Sequence, residues 1–199
     1  MPIFEYGQKE LDYLKRRDKK LGVAIEQIGI IKREITPDPF TALISSIVSQ
    51  QISNKAAETV WNRLLQRLGT ITPESIAQAT LFEIKGCGMS ERKAGYIKGI
   101  ADKATSEMDF NSLHTLTDDE IIRKLSALHG VGVWTAEMLL IFSLCRPNVV
   151  SYKDLAICRG MMNLYSLKEL PKQKFEMYRK RYSPYGSVAS LYLWALSVK

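Results

Sequence analysis

Apolar residues recur along this chain at intervals of three and four rather than two. In "SNKAAETVWNRLLQRLG" (53–69), Ala57, Val60, Trp61, Leu64, Leu65 and Leu68 fall at helical spacing, and Gly69 stands where a C-terminal cap belongs. "TPES" (72–75) puts Thr72 at an N-cap and Pro73 at the first helical position. "TDDE" (117–120) reads as a capping box ahead of Ile121, Ile122 and Leu125, and Ser90 caps "ERKAGYIKGIADKA". "SVASLYLWALSV" (187–198) is apolar almost all round, which predicts a buried helix. With no strand-like alternation, the predicted fold class is all-α.

Two breaks interrupt the pattern. The prolines of "TPDPF" (36–40) discourage helix on either side, and "CRPNVVSYK" (145–153) is a polar loop. One internal echo stands out: "IKGCGMSERKAGYI" (84–97) and "LHGVGVWTAEMLLI" (128–141) both read apolar-x-Gly-x-Gly followed by a helical pattern. Aligned end to end, the echo pairs Gly86 with Gly130 and Gly88 with Gly132.

Composition narrows the function classes. With 28 Lys+Arg against 21 Asp+Glu, the net charge of +7 favours a polyanionic partner without proving one. Much of the excess lies in 168–181, where six Lys/Arg face two Glu, either as a solvated basic face or as a rim facing such a partner. Cys87, Cys145 and Cys158 are widely spaced and His114 and His129 isolated, which argues against zinc and, by count, against a four-cysteine iron–sulfur cluster. The first twenty residues lack the apolar core of a signal peptide, and no apolar stretch is long enough to span a membrane. A cytoplasmic protein is expected.

The candidate chemistry sits in two places. Glycines at 130 and 132 allow a tight helix–helix turn, and equally allow a phosphate to approach bare amides at the start of the next helix. In "SYKDLAICRG" (151–160), Asp154 is placed to cap a helix or to act as a reactive carboxylate. Lys153 beside it is a solvated cation or a nucleophile.

Four ordered stretches decide between these readings: "DPFTALISSIVSQQIS" (38–53), "LHGVGVWTA" (128–136), "DLAICRGMMNLY" (154–165) and "RYSPYGSVASLYLWAL" (181–196). Together they resemble the helix-hairpin-helix DNA glycosylase superfamily, in its 3-methyladenine DNA glycosylase II (AlkA-like) branch. The segment before residue 36 is too short for the archetype's N-terminal β domain, so the chain resembles a compact form. The loop before Asp154 keeps Pro147 but has no glycine, and Cys158 stands where relatives commonly carry Arg.

The resemblance implies two helical lobes around a DNA-binding cleft: 37–141 with the hairpin, and 1–36 with 142–199 carrying a catalytic Asp154. It implies a monofunctional glycosylase that flips and excises alkylated, cationic purines from double-stranded DNA, acting as a monomer. Trp134, Met138 and Trp194 fall at base-pocket positions, although both tryptophans also suit an ordinary core. Gln50 or Gln51 supplies a wedge, and Gly130, Val131, Gly132, Trp134 and Thr135 meet the DNA backbone. No cofactor is implied beyond a monovalent cation on the carbonyls of about Ser126, Leu128 and Val131. The rivals are a bifunctional glycosylase/lyase using a lysine, and a non-catalytic helix-hairpin-helix DNA-binding module. The lyase position corresponds to Trp134, which is not a lysine.

Overall fold

A computed structural model describes residues 2–198, and its regular structure is helical. The helices are α1 (Gln8–Arg17), α2 (Lys19–Ile28), α3 (Pro39–Ser49), α4 (Asn54–Leu68), α5 (Pro73–Gln78), α6 (Leu81–Gly86), α7 (Glu91–Ser106), α8 (Asp118–Ser126), α9 (Val133–Phe142), α10 (Leu155–Tyr165), α11 (Lys172–Tyr182) and α12 (Gly186–Leu196). A 3₁₀ turn covers Asn111–Thr115. Extended pairing among the described residues is limited to an isolated antiparallel bridge between Ile3 and Glu34.

Local chemistry sets most of the boundaries. Ser53, Thr72, Ser90 and Thr117 each accept the backbone amide three residues on, satisfying a donor that the helix leaves free. Gly69 closes α4 at φ 73°, a left-handed conformation that glycine adopts without Cβ strain.

The chain divides into two compact units, residues 36–139 and residues 1–35 with 140–199. Within the unit 36–139, α7 packs on α3, α5 and α6. Ile44, Ile47, Leu64, Ile84, Ala94 and Ile97 are buried there, and Phe40 meets Phe110 edge-on, with ring centroids 5.4 Å apart.

In the other unit, α10 lies against α12 so closely that a Cβ on Gly160 would stand 1.9 Å from the Leu193 carbonyl oxygen. Helix α12 is buried from Gly186 to Leu193, as its apolar sequence predicts, while Trp194 is only half-buried. Asp18 joins three helices of this unit. Its carboxylate caps α2 through the Leu21 amide (3.0 Å) and accepts from the Tyr165 hydroxyl on α10 (2.5 Å) and Arg181 on α11 (3.2 Å). Burial and this neighbouring carboxylate push the Tyr165 hydroxyl far above the ordinary phenol range.

Candidate active site and nucleic-acid interface

In the unit holding α10, the sequence neighbours Lys153 and Asp154 separate. Lys153 is exposed, whereas Asp154 is 6% exposed at the N-cap of α10. The Ile157 amide donates to Asp154 Oδ1 at 2.9 Å, and the Cys158 amide donates to its backbone carbonyl at 3.0 Å. Cys158 sits one turn further on, its thiol 3.4 Å from the Tyr152 carbonyl. Burial, then the charge of Asp154, raises the pKa of that thiol.

The loop that delivers Asp154 is fastened to the start of α12. Ser187 accepts from the Val149 amide (3.0 Å) and donates to the Arg146 carbonyl (2.5 Å), and Ser190 donates to the Val149 carbonyl (2.9 Å). The Gly186 amide donates to Asn148 Oδ1 at 3.3 Å. Both serines are fully buried. These are positioning groups that sequence reasoning passed over. Buried serines inside an otherwise apolar helix were the available signal, since a buried hydroxyl needs a partner.

Trp194 is half-buried near the end of α12. Its ring lies 5.3 Å from that of Phe142, at 30°, and the Arg33 guanidinium stands 5.2 Å over the Phe142 ring. Neither Phe142 nor Arg33 was legible as a partner, because both are distant in sequence.

In the unit 36–139, the Val131 amide donates to the Leu128 carbonyl at 3.2 Å, and Gly130 takes φ 85° with the Tyr96 ring packed against its Cα. Nothing lies within 4 Å of a Cβ built on Gly132. Val133 and Trp134 are each 41% exposed at the start of α9, Met138 is half-buried, and Val131 and Thr135 are buried. Any ligand contact by Val131 therefore falls to its backbone. The hairpin offers neutral oxygens to a monovalent cation, and the buried Ser126 Oγ has no hydrogen-bond partner, which fits such an ion. No cluster of three or more His, Cys, Asp or Glu suited to a metal occurs among the described residues.

The internal echo is real but its register is not that of an end-to-end alignment. Gly88 (φ 104°) and Gly130 (φ 85°) are the left-handed residues, and each stands three positions before a helix. Ser90 and Gly132 then accept from Ala94 (3.0 Å) and Ala136 (3.1 Å) in the first helical turn. Gly88 thus corresponds to Gly130, two residues away from the sequence match, because backbone conformation and not glycine count sets the turn.

The two adjacent glutamines also separate. The Gln50 side-chain amide donates to the Gly130 carbonyl at 3.0 Å. Gln51 is exposed, with φ 58°, at the tip of the loop between α3 and α4.

This fold and these motifs define a class. The chain belongs to the HhH-GPD superfamily of base excision DNA repair proteins, whose sequence profile matches residues 44–184. It is 34% identical over 166 residues to DNA-3-methyladenine glycosylase 1 of Schizosaccharomyces pombe, covering 80% of this chain and 73% of that protein. Among solved structures it resembles the DNA-3-methyladenine glycosidase of Bacillus halodurans (35% identity, TM-score 0.88, 99% of this chain and 93% of that one). It also resembles the S. pombe 3-methyladenine DNA glycosylase in complex with abasic DNA (29% identity, TM-score 0.80, 94% and 95% of the two chains).

Proposed function

We propose that this protein is a monofunctional DNA glycosylase that releases alkylated, cationic purines from double-stranded DNA by hydrolysis. The observation that carries the reading is Asp154: a carboxylate withdrawn from bulk solvent, at a helix N-terminus, held by the Ile157 amide. A buried carboxylate fixed at a helix N-terminus is suited to face a sugar that becomes cationic as its base departs.

In the reaction, the C1′–N bond breaks and its electron pair passes to the base, which leaves neutral because alkylation had made it cationic. Water forms the new C1′–O bond and passes its proton to solvent by way of the Asp154 carboxylate, which also stabilises the oxocarbenium-like sugar and orients the water. Trp134 and Met138 in one unit, and Trp194 in the other, are each half-exposed and are the side chains assigned to the departing base, whose cationic ring an aromatic face attracts. The exposed Gln51 is the wedge that fills the stack left by the flipped nucleotide, since the Gln50 side chain is engaged by Gly130. The hairpin backbone at Gly130, Val131, Gly132, Trp134 and Thr135 meets phosphate, and a monovalent cation on the Ser126, Leu128 and Val131 carbonyls would order the hairpin. The protein acts as a monomer.

Incubation with a methylated duplex, followed by chromatography of the supernatant, tests this reading. Free methylated purines and an uncleaved abasic strand are expected. Release of oxidised purines, or a borohydride-trapped protein–DNA adduct, would contradict it.

A further inference from the structure

Lys93 lies in the first turn of α7, in the hairpin that the proposed chemistry leaves unused. A lysine meant for DNA phosphate would carry its ammonium into solvent. This one is half-buried, and its Nζ donates to the carbonyls of Val48 (2.8 Å) and Gln50 (2.5 Å) at the end of α3. Those are carbonyls that a helix C-terminus leaves unpaired. Burial pushes the ammonium below the ordinary lysine range.

Gln50 is therefore gripped twice. Lys93 holds its backbone carbonyl, and its side-chain amide donates to Gly130 in the second hairpin. The next residue is Gln51, at φ 58°, a left-handed conformation uncommon for a non-glycine residue. In the corrected register, Lys93 is the counterpart of Thr135: each is the third residue of its helix.

We propose that Lys93 is a positioning residue for the DNA-penetrating loop, acting through Gln50 to hold Gln51 projected and touching no DNA itself. The inference rests on the glycosylase reading for Gln51's role, but the loop can be tested apart from base release.

The probe is a duplex with one tetrahydrofuran abasic analogue and 2-aminopurine on the opposing strand, whose fluorescence rises when the stack is opened. Full-length wild type raises the signal. Lys93→Gln is expected to bind this duplex within about threefold of wild type, lose most of the fluorescence rise, and excise base roughly tenfold more slowly, as expected for a misplaced group remote from the chemistry. Lys93→Arg restores the signal by donating to the same carbonyls, and Gln50→Ala reproduces the loss. Wild-type fluorescence from Lys93→Gln overturns the proposal. So does a loss of DNA affinity that accounts for the slower excision, which marks a direct phosphate contact. If Lys93→Gln fails to fold, Lys93→Met, which keeps the stem and loses the ammonium, decides: normal fluorescence overturns the proposal and lost fluorescence supports it. A wild type that opens the stack yet releases no base leaves Lys93's role standing and removes the glycosylase reading instead.

Discussion

Gly130→Ala and Gly132→Ala look alike in sequence and are predicted to differ sharply. At Gly130, φ is 85°, and an added Cβ would lie 2.3, 2.7 and 2.9 Å from the Cδ2, Cγ and Cε2 atoms of Tyr96. A left-handed alanine costs about 1–2 kcal/mol. Overpacking against the base of a ring, which cannot swing away like the tip of a flexible chain, adds about 1–3 kcal/mol. Together they come to about 2–5 kcal/mol, with a midpoint near 3.5 kcal/mol, equivalent to a fall of roughly 7–14 °C in melting temperature for a chain of this size. At Gly132 the added methyl meets nothing within 4 Å and the backbone is not left-handed, so the change stays within about 1 kcal/mol and can stabilise. Thermal unfolding of both variants followed by circular dichroism gives the comparison. Equal melting temperatures, or Gly130→Ala within about 2 °C of wild type, would refute the reasoning.

Two further outcomes follow from single contacts. Gly160→Ala drives a methyl into the Leu193 backbone, forcing α10 and α12 apart; a loss of about 3 kcal/mol or more is expected in urea unfolding, at the upper end of overpacking effects. Glu83 is held at about 2, below its usual 4.5, first by the Thr80 amide, then by the Thr80 hydroxyl and Arg67. Because the folded value is the lower one, this stabilisation is complete above about 4.5 and disappears as pH falls toward 2. Glu83→Gln should therefore melt below wild type at pH 7, with the gap closing near pH 2.

What the sequence made legible was what lies within four residues of itself. The caps at Thr72, Ser90, Thr117 and Asp154 were readable because donor and acceptor are three positions apart, and helical periodicity carried the all-α class. The stitching of Ser187 and Ser190 to the Asp154 loop joins residues about forty positions apart, and no local pattern announces such a bond. The same distance hid the Lys93–Gln50–Gly130 brace and the Phe142 neighbour of Trp194. The echo of Gly-x-Gly was visible, but its register was not, since identical letters at 86 and 88 take different backbone conformations. Between Lys153 and Asp154, burial made the distinction that adjacency concealed.

The central claim is that the Asp154 carboxylate stabilises a cationic sugar. At roughly 4 Å and an effective dielectric of about 20, that attraction is worth about 4 kcal/mol. Removing the charge while keeping the shape should slow base release about a thousandfold. The most direct measurement is single-turnover release of methylated purine by Asp154→Asn beside wild type, with binding to an abasic-analogue duplex measured in parallel. The account predicts release slowed by about that factor with binding largely retained. Release at the wild-type rate by a folded Asp154→Asn protein would contradict it.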